Sequence, residues 1–158
     1  MLLQKIRDAF SRKHAPLDEP PAEQECYAIC YKSISSHPLS DAAMQTLVLS
    51  ARMRNVAANI SGALIHDRSR FWQVLEGPQS EVERVFNSIA NDYRHSEIVI
   101  LDRGVKPERQ FPSFEMGEVD LTTEETKESC RANFETILNA SNAAERDAAL
   151  AQLTPHLK

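Results

Sequence analysis

Two apolar runs, ISGALIH (60–66) and FWQVLEG (71–77), are separated by nothing but the polar DRSR, a spacing that dictates a β-hairpin. That hairpin constrains the fold most, because helical patterns lie on both sides of it. Upstream, residues from 25 onward alternate with period two: Tyr27, Ile29, Tyr31 and Ser33 share one face of a strand, and Cys26, Ala28, Cys30 and Lys32 the other. After the SSHP turn, Ser40 is placed to cap a helix starting at Asp41, whose stripe runs Met44, Val48, Ala51, Asn55. Downstream, Ser80 with Glu83 reads as a capping box, ahead of a stripe of Val82, Val85, Phe86, Ile89 and Tyr93. EIVILD (97–102) is the next strand, and SFEMGE (113–118) a shorter one after a loop holding Pro107 and Pro112.

The order β-α-β-β-α-β predicts an α+β, ferredoxin-like antiparallel sheet with two helices on one face and a short extra strand. The tail is predicted to cover the bare face or to serve an interface. Thr122 with Glu125 reads as a capping box before a helix carrying Cys130, Phe134, Ile137 and Leu138. Ser141 starts another, with Ala148, Leu150, Ala151 and Leu153 ahead of Pro155. Trp72, next to Gln73, should point to this second face and pack beneath the tail helices.

At 158 residues and 42% apolar content the chain is one globular domain with short appendages. Residues 25–118 form the main domain and 119–158 a helical extension. Leu3, Ile6 and Phe10 recur at helical spacing among four basic residues, predicting an amphipathic helix over 1–13 that docks on the body, a partner or a membrane surface. Residues 14–24, with three prolines, read as a linker.

A net charge of −5 leaves no general attraction for phosphate backbones, which disfavours nucleic acid as a partner. Cys26, Cys30 and Cys130 match neither redox nor zinc spacing, and the five histidines show no ligand pattern, so no metal is expected. Reduced thiols, no bilayer-length apolar run and no signal-peptide pattern point to a cytoplasmic protein. No serine sits in a nucleophile elbow, and four glycines rule out a phosphate-cradling loop.

Three polar residues fall where the pattern predicts burial on the helix-covered side: Tyr31, Gln73 and Asn55. An unpaired buried hydroxyl or amide costs ~1–3 kcal/mol, so each needs a partner. A carbonyl for Tyr31, a helix C-terminus for Asn55 and backbone groups for Gln73 would suffice singly. A polar ligand between the two helices would serve all three.

CYKS (30–33), RNVAANISGAL (54–64), FWQVLEGP (71–78), NDYRHSEI (91–98) and RQFPSFEMG (109–117) together resemble the BLUF domain, the flavin-binding blue-light sensor. The resemblance runs in order over residues 25–118. It implies that Tyr31 is the photoactive tyrosine, giving an electron and then a proton to the excited flavin. Gln73 corresponds to the glutamine between that tyrosine and the flavin ring. Asn55 corresponds to the asparagine that hydrogen-bonds the ring, and Met116 to the methionine near the glutamine. Asp92, Arg94 and His95 match the end of the second helix, beside the ribityl side. Arg54 reads either as solvated surface or as a phosphate contact.

The expected cofactor is FAD, with FMN as the alternative. Two departures stand out: many relatives carry tryptophan where this chain has Phe114, and threonine where it has Ser61. Light is expected to leave the flavin oxidised but differently hydrogen-bonded, with a red-shifted band. The signal then passes through Phe114 and Met116 to the tail helices, and on to a downstream effector in trans or the chain's own homo-oligomer. The chain has no length for a catalytic output domain, so a non-enzymatic receptor is expected. The competing readings are a flavin-free interaction module and a flavin-dependent enzyme; no general acid or base accompanies the ring in the latter.

Overall fold

The structure, a computed structural model, describes residues 26–158; the helix expected over 1–13 and the linker over 14–24 lie outside the described residues. Strand β1 (Cys26–Ser35) is followed by helix α1 (Asp41–Ala57), then by strands β2 (Ser61–His66) and β3 (Arg70–Gly77). Helix α2 (Gln79–Ala90) and strand β4 (His95–Lys106) follow, and a short β5 (Gly117–Asp120) precedes helices α3 (Glu128–Asn139) and α4 (Ala143–Leu153).

The five strands form one sheet in the order β4-β1-β3-β2-β5. β3 inserts between β1 and β2, and β1 between β3 and β4, so two split βαβ units interleave. The first four strands pair antiparallel, as expected, and β5 joins the edge parallel to β2. The sheet is therefore mixed. In the central register Tyr31 lies opposite Gln73, which puts both side chains on the same face as immediate neighbours.

The hydroxyl of Ser40 accepts the Ala43 N–H at 3.2 Å, starting α1 where the sequence predicts. Met44, Val48, Ala51 and Asn55 then face inward. With α2 they enclose one core containing Ile29, Leu75, Val82 and Val85. The second core lies on the opposite face, where Trp72, Val74 and Ile65 meet Phe134, Ile137 and Leu153 of the tail helices. Burying each such side chain contributes ~1.5–3 kcal/mol. Polar ties fasten the tail as well: Lys32 Nζ donates to the Leu138 carbonyl at 2.6 Å, an otherwise unpaired group near the end of α3. Arg70 pairs with Glu135 at 2.6 Å and lies over the Phe134 ring.

Several local expectations are corrected. Helix α2 begins at Gln79 behind Pro78, which places Ser80 inside the first turn, and no side chain caps it. Tyr93 lies beyond the end of α2 and is 90% exposed. Thr122 does not cap α3: its N–H and hydroxyl both go to the Asp120 carboxylate, and the helix starts six residues later at Glu128. The cap of α4 is Asn142, which accepts the Glu145 N–H, and Ala149 faces inward where Ala148 and Ala151 were expected. Residues 113–116 are a turn, not a strand, with the Phe114 N–H folding back to the Phe111 carbonyl at 3.2 Å. Pro112, lacking an N–H, suits that turn better than a ladder.

Candidate functional site

A cleft opens between α1 and α2 above the sheet. Its floor carries Tyr31, Leu64, Phe71 and Gln73; its walls carry Leu47, Ala51 and Arg54 from α1 and Ile89 from α2. The mouth is polar, with Asp92, Arg94 and His95, and Met116 enters from the segment before β5. Thr46 and Ser50 add hydroxyls to the α1 wall, and such a mixture of apolar side chains with convergent polar groups is the usual make-up of a small-molecule site.

At the floor, the Tyr31 hydroxyl donates to Gln73 Oε1. Tyr31 is 1% exposed and Gln73 6%. Burial pushes the Tyr31 phenol above its ordinary value, so it remains protonated and a donor at neutral pH. The Phe86 ring meets Tyr31 edge-on at 5.2 Å between centroids and fixes its tilt. Among the described residues the Gln73 amide nitrogen has one acceptor, the Met116 thioether at 3.5 Å, which is a weak one. That leaves donor capacity facing the cleft.

Asn55, fully buried, donates through Nδ2 to the Glu115 carbonyl at 2.7 Å. Among the described residues its Oδ1 has only the long 3.5 Å approach of Arg54. The asparagine thus ties α1 to the backbone beside Met116. Asn55→Ala is expected to strand that carbonyl and lower stability by ~1–3 kcal/mol, read from urea unfolding of the flavin-free protein. A variant as stable as the parent would refute the tie.

At the mouth, Arg94 grips Asp92, its Nε 3.0 Å from each carboxylate oxygen, and this holds the Asp92 carboxyl down at about 2. Burial lowers the His95 imidazole below its usual range, and its Nδ1 lies 3.3 Å from Ser33 Oγ. Burial also lowers Arg54, which has no carboxylate partner among the described residues. Asp92 and Arg94 lie in the turn after α2, and His95 is the first residue of β4.

The cleft accordingly gathers Tyr31, Gln73, Met116, Asp92, Arg94 and His95, with Asn55 just behind Met116. Phe114 is elsewhere, packed against the tail-side core. Sequence reasoning missed Glu76, 2% exposed, whose carboxylate accepts the N–H groups of Gln110 at 2.7 Å and Phe111 at 2.9 Å. It anchors the loop that delivers Met116. A carboxylate on the tail-side face of a central strand was the available signal.

The geometry fits a flavin. An acceptor-rich planar ring suits the apolar side chains of the cleft and a carboxamide with spare N–H capacity, and the half-buried Arg54, without a carboxylate partner among the described residues, suits an anionic substituent.

Comparison with known proteins points the same way. Residues 26–117 match the family described as "BLUF: Sensors of blue-light using FAD". The "Blue light- and temperature-regulated antirepressor BluF" of Escherichia coli (strain K12) is 33% identical over 92 residues, which cover 58% of this chain and 23% of that protein. The "Photoactivated adenylate cyclase subunit beta" of Euglena gracilis is 31% identical over 85 residues, 54% of this chain and 10% of that one. The chain thus spans less than a quarter of the length of these relatives. Among solved structures, the dark state of BlrB, a BLUF protein, superposes with a TM-score of 0.67 at 27% identity, covering 82% of this chain and 94% of that one. The photo-activated state of BlsA gives 0.68 at 26% identity, with 81% and 94% covered.

Proposed function

The chain belongs to the BLUF family, the sensors of blue light using FAD, and from that membership we propose that it senses light in the α1/α2 cleft and signals through its tail helices to a separate effector protein or to its own oligomer. The observation that carries this reading is the buried Tyr31–Gln73–Met116 chain of hydrogen bonds on the cleft floor.

When bound, the flavin supplies blue-light absorption and a ring that takes up an electron transiently. The protein's residues do the rest. Leu47, Ile89 and Phe71 would exclude water from the ring, and Arg54 and the Asp92–Arg94 pair would receive the polar side chain. Tyr31 holds its proton against Gln73. The Gln73 carboxamide offers one acceptor and two N–H donors at its tip, so turning or tautomerising it exchanges what it presents to Tyr31, Met116 and the ring. A change confined to one buried amide alters an equilibrium only through contacts that differ between its two arrangements. The Met116 thioether is one such contact.

We assign residues 25–118 to sensing and 119–158 to output. The Lys32–Leu138 bond and the Trp72 contacts connect the back of the sheet to α3. Among the described residues no helix is long and apolar enough to cross a membrane.

The deciding experiment is a visible spectrum before and after blue illumination. A yellow protein whose band shifts to the red and returns in darkness supports the reading; a protein colourless after FAD reconstitution, or spectrally inert in light, overturns it. Hydrogen exchange over residues 110–140 is expected to differ between light and dark, and identical profiles would remove the tail helices from the signal path.

A further inference from the structure

On α1, next in sequence to the cleft-lining Ala51, Arg52 joins two backbone segments that are distant in sequence. Its Nε donates to the Met116 carbonyl at 3.0 Å, and one terminal nitrogen donates to the Lys158 carbonyl at 3.0 Å. Lys158 in turn exchanges both backbone hydrogen bonds with Glu118, each 3.1 Å, closing the outer edge of β5. The preceding residue packs in: a Cβ placed on Gly117 would lie 3.0 Å from Leu157 and 3.1 Å from Phe114, so Leu157 and the Phe114 ring close tightly over this glycine. Met116 is the residue whose sulfur accepts from Gln73. One guanidinium therefore links the residue that contacts Gln73 to the segment paired with β5.

We propose that Arg52 is a positioning residue that holds Met116 and the C-terminal strap, Leu157 with Lys158, as one unit, so that the strap is engaged or released with the hydrogen-bonding state of Gln73. This rests on the light-sensing reading above. Coupling of this kind is reciprocal: if the light arrangement displaces Met116 and loosens the strap, removing the strap must favour the light arrangement. Arg52 suits the task because its planar fork can serve two carbonyls at once, which a lysine's single ammonium on a flexible stem does less rigidly.

The test uses the 158-residue chain, Arg52→Ala, Arg52→Lys, a deletion of residues 157–158, and the deletion combined with Arg52→Ala. In the flavin-free protein in darkness, the Glu118 amide is expected to exchange about two- to tenfold faster in Arg52→Ala, the effect of losing one hydrogen bond. In the FAD-loaded protein, with the strap re-engaging before the barrier of dark recovery is crossed, Arg52→Ala and the deletion are each expected to prolong recovery by about two- to tenfold. The combined variant should match the slower single variant, because both changes cut the same connection. Arg52→Lys should fall between parent and Arg52→Ala. Recovery at the parental rate in Arg52→Ala, or effects that add in the combined variant, overturns the proposal. A parent with no light response defeats the sensing reading instead, and the flavin-free exchange measurement still decides whether Arg52 holds the strap.

Discussion

Gln73→Leu is expected to eliminate the light-induced red shift entirely while leaving flavin bound. Leucine keeps the bulk of the side chain on β3 but has neither an acceptor for the Tyr31 hydroxyl nor N–H groups for Met116 and the ring. Retention of flavin follows from the remaining cleft: Leu47, Phe71, Ile89 and Arg54 lie on other elements or other positions and are untouched. The buried phenol left without its acceptor costs ~1–3 kcal/mol of stability, measurable by thermal or urea unfolding. Difference spectra of the purified variant before and after illumination provide the check. A shift of parental size would sink the role assigned to this amide.

Tyr31→Phe is expected to abolish the normal photocycle just as completely. Phenylalanine fills the same space and keeps the edge contact with Phe86, so the fold and the flavin site should survive. What disappears is the hydroxyl, and with it both the proton held against Gln73 and the electron-rich phenol. Steady-state absorption after illumination reads the loss, and circular dichroism confirms that the fold is retained; an undiminished red shift would refute the assignment. The sign of the Tyr31 shift adds a pH expectation. Burial raises the phenol's value in the folded protein, so the charged form is disfavoured and the donor persists as pH rises to about 10, the ordinary tyrosine value. Tyr31 should therefore give the photocycle no pH dependence from neutral to that point.

Much of this arrangement was legible in the sequence because it rests on periodicity. The stripe Met44, Val48, Ala51, Asn55 and the alternation through Tyr31 and Gln73 are each dictated by one element's geometry, and the structure buries all six. The tail stripe Cys130, Phe134, Ile137, Leu138 was legible for the same reason. Helix starts were not. At α2 the fixed backbone of Pro78 sets the first turn earlier than Ser80, and before α3 the Asp120 carboxylate claims the Thr122 groups that a cap would use. Tyr93 continues the helical pattern numerically, but the helix has ended at Ala90 and the ring stands in solvent.

The site shows the same division. The residues that share a sheet face or a helix stripe could be grouped in advance, and the family resemblance gave them roles. The partners of Arg52, Lys32 and Glu76 could not be foreseen, since they are backbone groups of distant segments. A backbone carbonyl leaves no mark in the amino-acid code. Any residue type can offer one, and only the tertiary fold brings it within reach.

Phe114 and Met116, two positions apart, are committed to different interiors: the first packs with the tail helices, the second with α1 and α2. Close-packed interiors tolerate discrete rearrangements far better than gradual ones. If the proposed signal passes through this segment, a connector with one foot in each would step and not slide. Brighter illumination would convert more copies of the protein, while the shape of each converted copy stayed the same: a tally instead of a dial.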